Sequence, residues 1–287
     1  MAESIKVTTV KSDLDTLKSV ILCKPVYFRF IKLINESMRF WSRMGYPPDK
    51  SEAIKEHETL ASILKENSVE VYYVDPIEDC PYQVFTRDLG FTPDGFNIFM
   101  ANPRYEIRRI ELDAFTKLIV KLGKSMNYLP ESALFEGGNV VIYDSENMFL
   151  GLSNRTNTQA LIYLRSKLPI NIIPVKLPSD IIHLDVVFNF PSREYVVLYR
   201  NAIPDDVVNY LLKNLHVNMI EVSYLDTFTL APNFLPIRNG RIIAASENKE
   251  INKRLAREGI DVIEIPYREM IKAGGSIRCS TFPLERE

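Results

Sequence analysis

The stretch Val69-Glu70-Val71-Tyr72-Tyr73-Val74 follows a helix-like segment and a polar break, and it is the first of five such phrases in the chain. The others are Met126-Asn127-Tyr128-Leu129-Pro130, Ile170-Asn171-Ile172-Ile173-Pro174-Val175, Val217-Asn218-Met219-Ile220-Glu221-Val222 and Ile260-Asp261-Val262-Ile263-Glu264-Ile265. Each reads as a short strand. Their starts are roughly 45 residues apart, the first gap being longer, so the chain reads as repeats of one unit. Further strands with one apolar face are expected at Ser19 to Cys23, Asn97 to Ala101, Met148 to Leu152, Tyr195 to Tyr199 and Arg241 to Ala245, each ahead of a helix. Helices are expected over Ser51 to Glu66, over Glu106 to Leu122 with Ile107, Ile110, Ala114, Leu118 and Ile119 on the apolar face, and over Asp205 to Leu215 after Pro204. Lys124, Lys167, Asn214 and Gly259 mark the breaks before the next strands. The expectation is an α/β fold: one domain over residues 1–287 built of repeated ββαβ units and closed on itself like a propeller. A doubly wound sheet is the rival, and no glycine-rich phosphate loop follows an early strand to support it.

Composition narrows the function classes. With 46% hydrophobic residues in 287, the chain can bury a large core. Three cysteines leave one unpaired and show no metal-ligand spacing, and the start Met1-Ala2-Glu3-Ser4-Ile5-Lys6 has no apolar signal region. A reduced, cytoplasmic protein without metal or cofactor is expected. No apolar run reaches membrane-span length, and a net charge of -2 gives no general pull toward nucleic acid or anionic lipid. A small-molecule ligand is the expected partner, and homo-oligomerisation is left open. Glutamine occurs only at Gln83 and Gln159 among plentiful Lys, Glu, Arg and Ile, a bias of heat-adapted proteins.

Polar motifs recur at matching points of the units: Phe85-Thr86-Arg87-Asp88, Phe135-Glu136-Gly137-Gly138-Asn139, His183-Leu184-Asp185, Pro232-Asn233 and Gly274-Gly275-Ser276-Ile277-Arg278-Cys279. Each follows its strand by about 10 to 20 residues, and equivalent points of units set around an axis converge on it. A lone free cysteine is most often inert packing. For Cys279, however, Gly274-Gly275 permits positive φ and close backbone approach, and Arg278 beside the thiol would favour the thiolate. His183 and Asp185, two residues apart on an apolar run, are expected on one strand face. His57 and His216 read as structural. Gly137-Gly138 after Glu136 suggests crowding against another group, and Asp88 has Arg87 as its plainest partner. Together Cys279, His183, Glu136, Asp88 and Asp185 make a nucleophile, a general acid/base and several carboxylates, a set suited to attack on the central carbon of a cation such as a guanidinium.

At these residues the sequence resembles the guanidino-group-modifying enzymes, the family of arginine deiminase, dimethylarginine dimethylaminohydrolase and arginine:glycine amidinotransferase, from about Asp79 to the C-terminus. Phe85-Thr86-Arg87-Asp88 resembles its first guanidinium-binding acid, Glu136-Gly137-Gly138-Asn139 its glutamate motif, His183-Leu184-Asp185 its catalytic histidine with a second acid, and Gly274 to Cys279 its nucleophile loop. Gly151-Leu152-Ser153-Asn154-Arg155-Thr156-Asn157 is similar to the segment that supplies a carboxylate-binding arginine, with Arg108, flanked by Arg104 and Arg109, as its companion. The resemblance implies the five-fold pseudosymmetric α/β propeller called the pentein fold. It also implies a covalent thiouronium mechanism: Cys279 attacks, His183 transfers protons, Glu136 holds the cation and His183, Asp88 and Asp185 orient the guanidinium, and Arg108 and Arg155 take an α-carboxylate.

Within that family the methylarginine hydrolases typically lack an acid two residues after the histidine, so Asp185 implies an unmethylated guanidinium. The arginine pair implies L-arginine over agmatine, with dimethylarginine hydrolysis and amidino transfer as alternatives. The chain lacks the helical insertion common in arginine deiminases, and Tyr82 stands roughly where they often carry Asn. A non-catalytic branch of the fold, a ribosome-binding initiation factor, represents the other class; it would not need Cys279, His183 and Glu136 together.

Overall fold

The computed structural model describes residues 7–29 and 36–287; the first six residues, weighed above as a possible signal region, lie outside the described residues. The described chain passes five times through one pattern. The first unit runs β1 (Leu17–Cys23), α1 (Glu36–Arg43), α2 (Lys50–Glu66) and β2 (Glu70–Val74). The second is β3 (Gly90–Phe91), β4 (Asn97–Met100), α3 (Glu106–Arg109), α4 (Glu111–Lys121) and β5 (Ser125–Tyr128), and the third β6 (Val140–Ile142), β7 (Asn147–Leu152), α5 (Thr158–Lys167) and β8 (Asn171–Lys176). The fourth is β9 (Phe188–Asn189), β10 (Tyr195–Leu198), α6 (Asp205–Lys213) and β11 (Asn218–Glu221). The fifth opens with α7 (Tyr224–Phe228) and continues as β12 (Leu235–Arg238), β13 (Arg241–Ala245), α8 (Lys249–Arg257) and β14 (Asp261–Ile265), before α9 (Arg268–Lys272) and β15 (Phe282–Arg286) end the chain.

These strands form five separate three-stranded sheets of one design. A central strand pairs in parallel with the strand beyond its helix, as Asn97↔Ser125, Asn147↔Asn171, Tyr195↔Asn218 and Arg241↔Asp261 show. On its other side it pairs antiparallel with a shorter strand. In the first sheet that antiparallel strand is β15, from the opposite end of the chain, with Ile21 against Phe282. Central strands bury consecutive side chains, Ile98, Phe99 and Met100 or Val196, Val197 and Leu198, because both faces are covered. Outer strands such as β8 are more exposed, with Ile172 and Val175 buried but Asn171, Pro174 and Lys176 open to solvent. Helix α2 buries Ala53, His57, Leu60, Ala61 and Leu64, and its first turn is capped by Asp49, whose carboxylate accepts the N–H groups of Ser51 and Glu52.

All ten strands expected from the repeat are present, with ends displaced by at most a residue or two. The antiparallel strand of each unit was implied by the ββαβ pattern but not located. Three of the five hold only two or three residues, too few for a periodicity to register. The helix expected over Glu106 to Leu122 is two helices, and its inner face is different: Ile110 is 40% exposed, while Arg108 and Glu111 are buried. The guanidinium of Arg108 donates to the carbonyls of Tyr82 and Phe85, which draws the first turn inward against the run of the second helix. No helix among the described residues is long and apolar enough to cross a membrane.

The turn that precedes each antiparallel strand bonds to the turn of another unit. The Arg87 N–H donates to the Cys279 carbonyl at 3.1 Å, and the Arg278 N–H to the Asn233 carbonyl at 3.1 Å. Asn233 Nδ2 donates to the Asp185 carbonyl at 3.2 Å, the Leu184 N–H to Asn139 Oδ1 at 3.0 Å, and Arg87 Nη2 to the Val140 carbonyl at 2.7 Å. These bonds link all five turns in a ring. Asp13, from the segment before β1, is buried beside it and accepts from Arg278 Nη2 at 2.7 Å and from the Ile142 N–H at 3.0 Å.

Burial opposes the Asp13 charge, but Arg278, Arg87 and Arg286 outweigh it and hold its pKa well below the usual carboxylate range. Such a depressed carboxylate stabilises the fold above its unfolded pKa and loses that contribution as pH falls through the folded one. Asp13→Ala should therefore lower unfolding stability by about 3 kcal/mol at neutral pH in urea denaturation, since it strands buried guanidinium charge. Lys18→Ala, which breaks the exposed pair to Glu287, should leave the same curve nearly unmoved.

Candidate active site

His183 is held between two carboxylates. Its Nε2 lies 2.7 Å from Glu136 Oε2 and its Nδ1 3.4 Å from Asp88 Oδ1. Burial would lower the pKa of this ring, but Asp88, the bond to Glu136 and the charges of Glu136 and Asp185 outweigh it, and the net shift is upward. With an acceptor at each nitrogen, the ring is built to carry two protons. Glu136 is likewise fully buried, and His183, Arg155 and Arg108 reverse the upward pull of burial to keep it ionised.

The ion pairs extend on both sides. Arg155 Nη1 donates to both Glu136 oxygens, at 3.0 and 3.2 Å, and its guanidinium carbon sits 4.4 Å from the Tyr105 ring centroid. Asp88 Oδ2 is 3.4 Å from Arg108 Nη2, which is also 3.2 Å from Glu111. Arg108, Asp88, His183, Glu136 and Arg155 thus form a ladder of alternating charge, with Glu111 against its Arg108 end. Burial, only partly offset by Arg108, pushes Glu111 up to about 8.

Local chain chemistry explains how these groups come so close. A Cβ on Gly138 would stand 2.8 Å from the His183 ring and 2.9 Å from Asp88 Oδ1, so the crowding expected after Glu136 is real. Gly274 adopts φ +88, a region open to glycine, at the start of the Cys279 loop. Cys279 is buried, and its N–H donates to Asn233 Oδ1 at 3.1 Å. A cavity of about 60 Å³ reaches His183 between Ile181, Val186, Phe228, Leu230 and Gly274, with Glu36 and Asp180 in its lining.

Two expectations are corrected here. His183 and Asp185 do not share a strand face: His183 is extended, but Leu184–Val186 form a single 3-10 turn that sends Asp185 to Arg278, whose Nε is 3.6 Å away. Nor does Arg278 acidify Cys279, because its guanidinium turns to Asp13 and to the Val140 carbonyl. Burial raises the thiol well above its ordinary value of 9.0, Asp185 and Asp88 raise it further, and hydrogen bonds from Ser276 and Asn233 compensate only in part. Asp185, fully buried, is pushed by burial up to about 6 despite Arg278 and His183, and neither of its carboxylate oxygens accepts a hydrogen bond.

Arg87 bonds to the Val140 carbonyl and Asp13 rather than to Asp88. Arg104 and Arg109 lie outside the cluster, donating to the carbonyls of Asn154 and Pro103. His57 is a buried helix residue whose pKa falls to about 4 through burial, away from the cluster. Asp88, Glu136 and His183 offer ligand atoms within 4.8 Å of one another, as metal sites also do, but here both ring nitrogens already face carboxylates. Sequence reasoning missed the work of Asn139, Asn233 and Glu111. The two asparagines stood in repeated motifs without an assigned role, and Glu111 reads as a surface acid three residues after Arg108.

The pattern of the eukaryotic N,N dimethylarginine dimethylhydrolase family matches residues 24–286. YkgA, an uncharacterized protein of Bacillus subtilis, is 35% identical over 280 residues, which is 97% of this chain and 96% of its own. The bifunctional arginine dihydrolase/ornithine cyclodeaminase ArgZ of Synechocystis is 25% identical over 269 residues, 91% of this chain but only 37% of ArgZ. The crystal structure of the N-terminal domain of ArgZ, bound to product, is similar with a TM-score of 0.84 over 95% of this chain and 98% of that one, at 24% identity, a likeness of fold.

Glu136→Gln keeps the shape of the Nε2 partner and removes its charge, so the His183 titration should move to lower pH. Ring-proton NMR can follow this, as the chain has only three histidines. In the ligand-free protein the rate of Cys279 alkylation by iodoacetamide should still be rising past pH 9, the ordinary thiol value.

Proposed function

The chain belongs to the N,N dimethylarginine dimethylhydrolase family of guanidino-group-modifying penteins, and on that premise we propose that it is a cysteine-dependent hydrolase converting L-arginine, or a close derivative, to a ureido product and ammonia. The observation that carries this reading is His183 set between two carboxylates, hydrogen-bonded to Glu136 through Nε2 and 3.4 Å from Asp88 through Nδ1, in the same ring of turns as Cys279. We take residues 1–287 as one domain whose five sheets stand around a common axis, a reading supported by that ring.

The guanidinium enters among Asp88, Asp185 and Glu136, and its charge replaces the missing counter-ion of the thiolate. Cys279 then gives up its proton to solvent and attacks the central carbon. The His183 imidazolium protonates the departing nitrogen, ammonia leaves, and a thiouronium adduct remains. Neutral His183 next takes a proton from water, the hydroxide adds to the same carbon, and the sulfur departs as thiolate. Arginine and water give citrulline and ammonium.

Asp185 offers two oxygens without hydrogen bonds, which suits a nitrogen that still carries hydrogens. For the α-carboxylate, Arg155 keeps Nε and Nη2 without hydrogen bonds, whereas Arg108 is held on the carbonyls of Tyr82 and Phe85. Arg155 is therefore the main carboxylate ligand and Arg108 the support of Asp88. The family match favours dimethylarginine as a second substrate, with citrulline and dimethylamine as products.

Incubation with L-arginine, dimethylarginine and agmatine, with products identified by mass spectrometry, tests the proposal. Citrulline and ammonia are expected from arginine. His183→Asn should lower kcat roughly 10²- to 10⁴-fold, and Cys279→Ser should abolish turnover. Asp185→Asn should depress kcat/KM for arginine far more than for dimethylarginine. Undiminished turnover by Cys279→Ser would defeat the covalent route, and no turnover of any guanidine would favour a binding module.

A further inference from the structure

We propose that the protein has a second ligand site, for a monatomic anion such as chloride, in a small cavity between Arg87 and Arg286 that shares no lining residue with the cavity at His183. Lys11, Asp13 and Thr92 complete its polar lining. Three cations therefore face one carboxylate, and that carboxylate is already engaged by Arg278 at 2.7 Å. Asp15, the next acid along the chain, pairs with Arg193 and accepts the Ser12 N–H.

Both arginines at the cavity are more than nine-tenths buried, at 3% and 8% exposure. Arg87 donates through Nη2 to the Val140 carbonyl, and Arg286 through its two Nη atoms to the carbonyls of Asp15 and Pro236. The Nε of each has no hydrogen-bond partner. Burial and the neighbouring guanidinium charges lower both to about 10, which still leaves them charged at neutral pH. Arg87 lies 3.9 Å from the same Asp13, so Arg87, Arg278 and Arg286 share one carboxylate; buried positive charge in excess of its counter-charge is costly, and an anion at the cavity would offset that cost.

Size fixes the class of ligand. The cavity is about 20 Å³, on the scale of one water-sized particle, which suits a halide better than phosphate, sulfate or an organic carboxylate. The net positive lining excludes a metal cation. An anion that binds only the folded chain stabilises it in a saturable way.

Thermal unfolding of the full chain in sodium chloride and in sodium gluconate, at matched ionic strength, tests the site against Lys11→Ala in the same solutions. Lys11 is only partly buried and outside the catalytic set, so its removal leaves the fold intact, and bulk salt effects act equally on both proteins. A saturable rise of melting temperature in chloride is expected for the native protein, with the half-saturating concentration raised roughly threefold or more in the variant, the scale of one partly exposed charge. Bromide soaked into crystals should give an anomalous peak between Arg87 and Arg286. Overturning results are the absence of a saturable chloride response, a response identical in Lys11→Ala, or bromide bound only elsewhere.

Discussion

The ring of hydrogen bonds between the five turns is the constraint on which the molecule depends. Each turn leads into the antiparallel strand of a sheet, so its backbone groups are buried outside any sheet ladder and must find partners. Neighbouring turns supply them. Asn139 and Asn233 suit this position because one amide both donates and accepts: Asn233 takes the Cys279 N–H and gives to the Asp185 carbonyl. The site is consequently the property of no single element. His183, Glu136, Asp88 and Cys279 come from four different turns, and their separation is set by hydrogen bonds that each engage at least one backbone group of a turn.

Burial of so many ions is tolerable only where signs alternate, because an unpaired buried charge is worse than either a solvated or a paired one. The ladder from Arg108 to Arg155 satisfies that requirement with distances of 2.7 to 3.4 Å between successive partners. Among the described residues no cation is paired with the thiol, since Arg87 and Arg108, which feel its charge, are held by other partners. Its nearest basic neighbour in sequence, Arg278, is taken by Asp13, and the carboxylates around it favour the neutral form. In the proposed reaction the substrate's own charge completes the pattern. In that proposed reaction a neutral ligand of the same shape leaves the thiol protonated.

Much of this was legible in the chain because repetition leaves traces that a single copy does not. Ten strands appeared at the expected places, and the residues of the site's core stood at equivalent points of successive units. What stayed hidden depended on tertiary partners. Antiparallel strands of two or three residues, Gly90–Phe91 or Phe188–Asn189, have no period of their own and exist through pairing. The face of the helix after Tyr105 was misread because apolar spacing favoured Ile110, whereas Arg108 and Glu111 turn inward once Tyr82, Phe85 and Asp88 are there to receive them. Arg278 looked like an activator of Cys279 because adjacency in sequence is visible and side-chain direction is not.

That misreading reveals a division of labour. In the turns, adjacent residues serve different partners: Asp88 reaches His183 and Arg87 reaches Val140 and Asp13, while Cys279 joins the site and Arg278 joins Asp13. Carboxylates gather around His183 and guanidinium groups around Asp13, so opposite charge excesses are held a residue apart along the chain. Neither excess is independent of the other, since Arg278 touches Asp13 and Asp185 at once. A cation drawn to the acids and an anion drawn to the arginines would each relieve a cost that the same ring of turns imposes, which ties the chemistry of the site to the electrostatics of the fold behind it.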